Sequence, residues 1–174
     1  MRENYRDLRI AILGGGTVGA QVAHRLLEAG DELGQRSGAG LELIGVAVRD
    51  LKAERSAPIP AALLTTDAQS LLVGADIVVE LMGGIEPARS LILQALQSGA
   101  DVITANKALL AEHGPELFAA AAKVGAQLYY EAAVAAAIPI NRPVRDSLAG
   151  DHGRKIMGIV NGTTNYILDQ METT

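Results

Sequence analysis

The fold is decided by the stretch Leu8-Arg-Ile-Ala-Ile-Leu-Gly-Gly-Gly-Thr-Val-Gly19, near the start of a chain of 174 residues. Its first six residues form a short aliphatic run that is typical of a buried strand. The glycines that follow match the pattern G-x-G-x-x-G, with Gly14, Gly16 and Gly19 at the key positions. Helical periodicity extends over residues 17–29. A glycine-rich turn between a strand and a helix is the setting in which this pattern binds a dinucleotide.

Each of the three glycines has a physical role in such a site. Gly14 permits the tight turn, Gly16 lets a pyrophosphate approach the backbone, and Gly19 allows the helix and the strand to pack closely. The free N–H groups and the positive end of the helix would then receive the phosphates. A plain strand-to-helix turn without a ligand is the alternative interpretation.

The rest of the chain alternates short apolar runs with helical patterns. Strands are predicted at residues 41–48, 76–81, 101–104 and 127–130, with a short one near residue 64. Helices are predicted over residues 86–97 and 113–124, with a short one after residue 66, and residues 30–40 are predicted to be a loop or a frayed helix end. Such alternation indicates parallel strands covered by helices on both faces. The predicted fold class is α/β, with a Rossmann-like, doubly wound and mostly parallel sheet.

The pattern changes after residue 139. We predict a helix over residues 140–148, a strand over residues 150–160 and a polar turn over residues 161–165. Residues 1–138 are therefore assigned to the dinucleotide-binding domain, and residues 139–174 to the beginning of a second, α+β domain. Because a new element starts near the last residue, we expect this second domain to continue beyond the sequence given.

Composition excludes several classes of function. The chain has 15 basic and 20 acidic residues, a net charge of −5 and no basic stripe, so nucleic acid is not an expected partner. It has no cysteine, which excludes a disulfide scaffold and a thiolate nucleophile and fits a reducing compartment. No apolar stretch approaches the roughly 20 residues that a spanning helix needs, and the N-terminus lacks the apolar core of a signal peptide. We therefore expect a cytoplasmic protein with no membrane partner.

The end of the second predicted strand bears on which dinucleotide binds. An NAD site usually has Asp or Glu about 20 residues after the glycines, where it holds the ribose 2′-hydroxyl. Here the strand ends about 30 residues after Gly19, and Arg49 precedes Asp50. Arginine can stack on adenine and pair with a 2′-phosphate, and Lys52 could assist it. We predict NADP, with NAD as an alternative because Asp50 is adjacent; a solvated charge at a strand end is the other interpretation of Arg49.

Two further segments follow strands at the same edge of the predicted sheet. Gly83 and Gly84 follow the strand at 76–81, where glycine would let the backbone approach the nicotinamide ribose, because ligands bind beyond the carboxyl ends of such strands. Lys107 follows the strand at 101–104. This cation could orient the nicotinamide or the substrate, or share a proton with a developing alkoxide, so it is our candidate catalytic residue. A solvated loop lysine is the alternative.

These segments together resemble the homoserine dehydrogenase family. The resemblance rests on residues 14–19, 46–50, 79–84, 104–110, 130–134 with 138–140, and 158–168, which follow the family's order over nearly the whole chain. The glycine motif is generic, whereas the Asn-Lys pair at 106–107 and the Asn-Gly-Thr-Thr-Asn segment at 161–165 are specific. Members of this family interconvert aspartate 4-semialdehyde and homoserine with NAD(P)H, on the way to threonine and methionine.

The resemblance implies roles for individual residues. Contacts to the cofactor are implied for Thr17, Val18, Arg49, Gly83, Thr104 and Lys107. A monovalent cation such as sodium would be held by the carboxylate of Glu131 and by backbone carbonyls at Val134, Ala136 and Ile138, which suits a hard cation that takes oxygen ligands. The turn with Asn161, Gly162 and Thr163 would line the pocket for an amino-acid substrate.

The resemblance also bears on how much of the enzyme this chain contains. In the family, the lysine that acts as main proton donor and the carboxylates that hold the substrate come after the position of residue 174. We therefore expect this chain alone to bind cofactor but to turn over poorly, and the full-length protein to be a homodimer or tetramer. Another amino-acid or semialdehyde dehydrogenase on the same fold stays an alternative, because a fold alone does not fix the chemistry. A non-catalytic nucleotide-binding module is the second alternative.

Overall fold

A computed structural model describes residues 7–135, 138–155, 157–158 and 162–173. Its centre is a six-stranded sheet with every neighbouring pair parallel. The strands are β1 (Leu8–Leu13), β2 (Leu41–Ala47), β3 (Leu64–Thr65), β4 (Ile77–Glu80), β5 (Asp101–Thr104) and β6 (Leu128–Tyr129). Their order across the sheet is β3-β2-β1-β4-β5-β6. The first three strands are added in one direction from the centre of the sheet, and the last three are added in the other direction, so the switch lies between β1 and β4. This is the doubly wound arrangement that the sequence predicted, and dinucleotides bind at such a switch point.

Helices cover both faces of the sheet. The helices are α1 (Thr17–Glu28), α2 (Gly30–Ser37), α3 (Ala68–Leu72), α4 (Ala88–Gln97), α5 (Lys107–Val124), α6 (Glu131–Val134) and α7 (Gly162–Thr173). Helices α3, α4 and α5 pack on one face, around buried Leu13, Val78 and Val102. Helix α1 packs on the other face, against Ile12 and Val46. The strands are apolar on both faces because both are covered, as expected for parallel sheets.

Two helices depart from the sequence prediction. Residues 30–40 were expected to be a loop or a frayed end, but Gly30–Ser37 forms helix α2. Asp31 and Glu32 lie in its first turn and Arg36 in its last, which suits the helix dipole, and the Glu32–Arg36 pair is 3.7 Å apart. Helix α5 begins at Lys107 rather than at residue 113, because a side-chain cap precedes it.

The segment after residue 139 also differs from its prediction. The expected helix over 140–148 is present over residues 141–147, and its last five residues, Pro143–Ser147, are π-helical. The expected strand over 150–160 is wrong for residues 150–155 and 157–158, which are exposed and unpaired, so no neighbouring strand supplies a hydrogen-bond ladder; residues 156, 159 and 160 lie outside the described part. The expected polar turn is also wrong for residues 162–165, which form the start of α7.

The division into domains at residue 138 stays a prediction. Within the part of the chain that the structure describes, none of the helices combines the length and the apolar character that crossing a bilayer requires.

Candidate active site

The carboxyl ends of four strands lie in one row across the sheet. Leu13 of β1 is paired in register with Ala47 of β2 on one side and with Glu80 of β4 on the other, and Glu80 is paired with Thr104 of β5. The segments that follow these residues therefore emerge side by side at one edge. They include the glycine turn and the segments that carry Arg49, Gly83 and Lys107, so the structure brings these predicted site residues to the same edge of the sheet.

Gly14 is required by the turn at the end of β1. Its φ of +105° lies in the region that favours glycine. A Cβ at this position would also lie 2.8 Å from the backbone carbonyl group of Leu81, which follows β4. The N–H group of Gly14 donates to the carbonyl oxygen of Ala47 at 2.9 Å. The turn is thus hydrogen-bonded to the end of β2 and packed closely against the backbone that follows β4.

Gly19 and Gly16 have different surroundings. A Cβ on Gly19 would overlap the carbonyl oxygen of Gly14, so helix α1 packs directly on the turn. Gly16 is exposed, and a Cβ there would meet nothing within 4 Å. The protein itself therefore does not need glycine at position 16, and the open space is where the dinucleotide motif places a pyrophosphate.

The N-terminus of α1 suits phosphate groups. Gly16 caps the helix without a side-chain hydrogen bond, and no acidic residue lies in the first turn. The first N–H groups of a helix have no partners within the helix, so those at Thr17 and Val18 can face a ligand. Both residues are exposed. This arrangement fits a dinucleotide.

A basic segment follows β2. Arg49 is exposed, as are Asp50 and Lys52. Asp50 Oδ1 accepts a hydrogen bond from the backbone N–H of Lys52 at 2.8 Å, and the Arg55 guanidinium donates to the Asp50 carbonyl oxygen at 2.7 Å. The Asp50 carboxylate, which sequence reasoning offered for an NAD ribose, therefore already accepts a hydrogen bond within a local turn.

The same segment is fastened to helix α1. The Ser56 hydroxyl donates to the carbonyl oxygen of Thr17 at 3.0 Å, and the Gln21 side chain donates to the carbonyl oxygen of Ser56 at 3.1 Å. These two bonds hold the basic segment beside the first turn of α1. The adenosine end of a dinucleotide bound at the glycine turn would therefore meet Arg49 and its neighbours.

A buried polar network lies under the carboxyl edge of β4 and β5. Glu80, Thr104 and Asn106 are 0%, 0% and 6% exposed. Glu80 Oε2 accepts from the Thr104 hydroxyl at 2.6 Å, and the Thr104 oxygen accepts from the backbone N–H of Asn106 at 3.0 Å. Glu80 Oε1 accepts from the backbone N–H groups of Met82 at 2.8 Å and of Gly83 at 3.1 Å. Since the Thr104 side chain is fully buried, it acts on the surface above it only through this network.

Asn106 extends the network to helix α5. Its Nδ2 group donates to the carbonyl oxygen of Gly84 at 2.6 Å, and its Oδ1 caps α5 by accepting from the backbone N–H of Leu109 at 3.2 Å. Sequence reasoning gave no role to Asn106 or to Glu80. The available signals were an Asn directly before a helical pattern and a carboxylate in an otherwise apolar strand.

Lys107 is the first residue of α5, whereas the predicted helix began at residue 113. Its side chain is exposed, and among the described residues it has no hydrogen bond or ion pair. Gly83 and Gly84 are also exposed, and a Cβ on either would meet nothing within 4 Å. The surface over the buried network therefore has open space and an unpaired ammonium group.

The residues expected to hold a cation lie after β6. Glu131 begins helix α6, and its two carboxylate oxygens accept from the backbone N–H groups of Asn141 at 2.8 Å and of Arg142 at 3.1 Å. Val134 and Ile138 are exposed, and Ala136 lies outside the described residues. The described ranges contain no group of three or more His, Cys, Asp or Glu side chains arranged for a metal ion.

Of the residues expected at the substrate pocket, Asn161 lies outside the described part of the chain. Gly162 and Thr163 are exposed in the first turn of α7. No ligand geometry therefore follows for these three positions.

Comparison with known proteins decides the family. Residues 14–131 match the family model described as homoserine dehydrogenase, NAD binding domain, and residues 139–174 match the model described as homoserine dehydrogenase. The chain belongs to the homoserine dehydrogenase family. The resemblance seen in the sequence is thereby confirmed, and the glycine turn lies in the family's NAD-binding domain.

Individual relatives agree with the family match. The homoserine dehydrogenase of Corynebacterium glutamicum is 53% identical over 167 residues, which are 95% of this chain and 37% of the relative. The crystal structure of a homoserine dehydrogenase from Thiobacillus denitrificans is 40% identical with a TM-score of 0.83, covering 98% of this chain and 40% of that one. This chain thus spans about two fifths of the length of these homoserine dehydrogenases.

A more distant structure shares the fold. A hyperthermophilic archaeal homoserine dehydrogenase in complex with NADPH is 23% identical with a TM-score of 0.64, over 83% of this chain and 50% of that one.

Proposed function

We propose that this chain is the cofactor-binding part of an NAD(P)-dependent homoserine dehydrogenase that interconverts L-aspartate 4-semialdehyde and L-homoserine. The observation that carries the proposal is the glycine turn of a family member: Gly14 and Gly19 are required by packing, whereas Gly16 opens onto free space at the uncapped start of α1. The bound nicotinamide would carry the hydride. The alternatives, another dehydrogenase or a non-catalytic module, are not favoured by the family match.

NADP is proposed as the preferred cofactor, with NAD as the weaker ligand. The support comes from Arg49, Lys52 and Arg55, which lie in the segment that follows β2, and from the hydrogen bond that the Asp50 carboxylate accepts from the backbone of Lys52. A 2′-phosphate pairs with guanidinium groups through charge-assisted hydrogen bonds. An NAD ribose would need a free carboxylate, which Asp50 offers less well.

Lys107 is proposed to act on the nicotinamide or the substrate. Its ammonium group is exposed at the start of α5, beside the open surface at Gly83 and Gly84. There it can donate a hydrogen bond or a proton to the oxygen of the aldehyde as the alkoxide develops. The proposal of an amino-acid substrate near Asn161, Gly162 and Thr163 rests on the resemblance to the family.

A monovalent cation near Glu131 is proposed on the same basis, with backbone carbonyls at Val134, Ala136 and Ile138 as further ligands. The donor set fits in chemistry, because carboxylate and carbonyl oxygens suit hard cations. The side-chain nitrogen of Asn141, the residue that donates to Glu131, is buried and has no partner among the described residues. If the Asn141 side-chain amide is turned by 180°, its oxygen takes the buried position of the nitrogen, and an oxygen is an atom that a hard cation can bind.

Two further expectations stay predictions. The full-length protein is proposed to form a homodimer or tetramer. A cytoplasmic location is predicted from the composition.

Titration of the chain with NADPH and NADH by calorimetry tests the proposed function. We expect both to bind below millimolar concentration, with NADPH the tighter ligand. If neither cofactor binds below millimolar concentration, the glycine turn is a structural feature only, and the proposal fails.

A further inference from the structure

We propose that Glu80 is a positioning residue that holds the nicotinamide half of the cofactor site in its shape, without touching the cofactor. The inference rests on the proposed function, because it concerns the same site. It adds a residue whose carboxylate lies beneath the surface that the ligand would meet. Glu80 is completely buried at the end of β4. It lies between its two paired neighbours, Leu13 of β1 and Thr104 of β5.

The surroundings of Glu80 supply hydrogen-bond donors but no positive charge. Its two oxygens accept from the Thr104 hydroxyl and from the backbone N–H groups of Met82 and Gly83, at 2.6, 2.8 and 3.1 Å. Among the residues described in the structure, no Lys, Arg or His side chain forms an ion pair with it. A buried carboxylate is costly unless it is well hydrogen-bonded, so these three donors are needed.

Packing alone does not explain a carboxylate at this position. An apolar side chain of similar size would fill the same space, but it would leave the Thr104 hydroxyl and the backbone N–H groups of Met82 and Gly83 without their acceptor. The neighbouring positions Val78 and Val79 of the same strand are apolar and buried. What Glu80 adds is a fixed direction for the groups that it binds.

Those groups belong to two segments of the proposed site. One carboxylate oxygen holds the backbone that leads into Gly83 and Gly84. The other holds Thr104, which in turn accepts from Asn106, the residue that caps α5 and donates to the Gly84 carbonyl oxygen. The Glu80 carboxylate is therefore hydrogen-bonded directly to the loop after β4. Through Thr104 and Asn106 it is also linked to the first turn of α5, from which Lys107 extends.

The directions of the hydrogen bonds make a sensitive test available. A carboxylate can only accept, so the Thr104 hydroxyl donates to Glu80 while its oxygen accepts from the backbone N–H of Asn106. In Glu80→Gln, an amide nitrogen that faces the backbone N–H groups of Met82 and Gly83 meets two donors, and both bonds are lost. An amide nitrogen that faces Thr104 can donate to the hydroxyl oxygen, but the buried Thr104 proton then loses its acceptor. Either orientation leaves at least one buried donor without its partner. The shape of the side chain is unchanged.

The experiment compares NADPH with 2′-phospho-ADP-ribose, which has the adenosine end of the cofactor but no nicotinamide. Both are titrated by calorimetry against the wild-type chain, Glu80→Gln and the control Glu42→Gln, which changes an exposed glutamate of β2. We expect Glu80→Gln to weaken NADPH by about tenfold and to leave the fragment within about twofold of wild type. The control should change neither. If NADH proves the tighter cofactor, NADH and ADP-ribose form the equivalent pair.

Equal weakening of both ligands, or no change in either, would overturn the inference. A wild-type chain that binds neither ligand would instead contradict the proposed function. Thermal unfolding is measured on every variant, and Thr104→Val provides a second route because it removes the hydroxyl at nearly constant shape. It should show the same selective loss of NADPH, and a Thr104→Val chain that binds NADPH as wild type does would also overturn the inference.

Discussion

A methyl group on Gly19 would overlap the carbonyl oxygen of Gly14, so the first turn of α1 and the end of β1 are in direct backbone contact. Gly16, three residues before Gly19, has free space above it. One sequence motif thus combines a glycine that the fold requires with a glycine that only a ligand would require. The two requirements are separable by mutation.

Gly19→Ala should destabilise the protein. The added methyl group forces apart a backbone contact that cannot relax by a side-chain rotation, and overpacking of this kind costs about 3 kcal/mol. The melting temperature should fall by roughly 10 °C for a chain of this size. Calorimetric unfolding measures it, with Gly30→Ala as the control because a Cβ there meets nothing within 4 Å. Equal melting temperatures for both variants would contradict the packing argument.

Gly16→Ser should behave in the opposite way. Serine is a favoured N-cap residue and meets no neighbour at this position, so the melting temperature should hold or rise slightly. The side chain would occupy the space proposed for the pyrophosphate, and NADPH affinity should fall by about tenfold or more. Titration of the folded variant checks this. Wild-type affinity in Gly16→Ser would place the phosphates elsewhere.

The sequence was sufficient for the sheet and for the glycine turn. Aliphatic runs such as Leu8–Leu13 are recognisable because a strand covered on both faces must be apolar throughout. The start of α5 was missed because it depends on the Asn106 cap, whose partner lies three residues further on, outside any apolar periodicity. Glu80 was missed because its donors come from two segments that are adjacent only after the sheet has formed.

Local sequence pattern was least informative after residue 139. The segment over residues 150–160 can form a strand only if a neighbouring strand accepts its hydrogen bonds, and its described residues are exposed. Helix α7 forms where a polar turn was expected, and it exposes Tyr166, Ile167, Leu168 and Met171. Elements of this kind depend on tertiary contacts that periodicity does not encode.

Arg49→Ala should change the choice between cofactors. If the guanidinium pairs with the 2′-phosphate, its loss removes a charge-assisted interaction and weakens NADPH by about 10- to 100-fold. NADH has no 2′-phosphate and should lose much less. Parallel titrations measure the ratio, and Arg36→Ala on α2 is a matched control at an exposed site. Equal losses for the two cofactors would remove Arg49 from 2′-phosphate recognition.

Lys107→Ala should reduce turnover without affecting the fold. The side chain is exposed and has no partner among the described residues, so the melting temperature should stay within about 1 °C of wild type. In an enzyme of the relatives' length that carries this sequence, kcat/KM for homoserine oxidation should fall by about 100-fold or more. Lys123→Ala, near the other end of α5, is the control. An unchanged rate would show that Lys107 has no part in the reaction.

The contact between α4 and α5 should make stability depend on pH. The Arg89 guanidinium, whose Nε donates to Glu116 at 2.8 Å, lowers the pKa of the Glu116 carboxyl group. A carboxyl group with a lowered pKa stabilises the folded state above its unfolded value of about 4.3, and this contribution is lost as the pH falls through the folded value. Glu116→Gln should therefore melt slightly below wild type at pH 7, and the gap should narrow as the pH is lowered from 7 to 3. The control variant is Glu112→Gln, which changes an exposed glutamate of the same helix. A difference in melting temperature between Glu116→Gln and wild type that persists unchanged at pH 3 would mean that Glu116 stabilises the helix pair by packing rather than by charge.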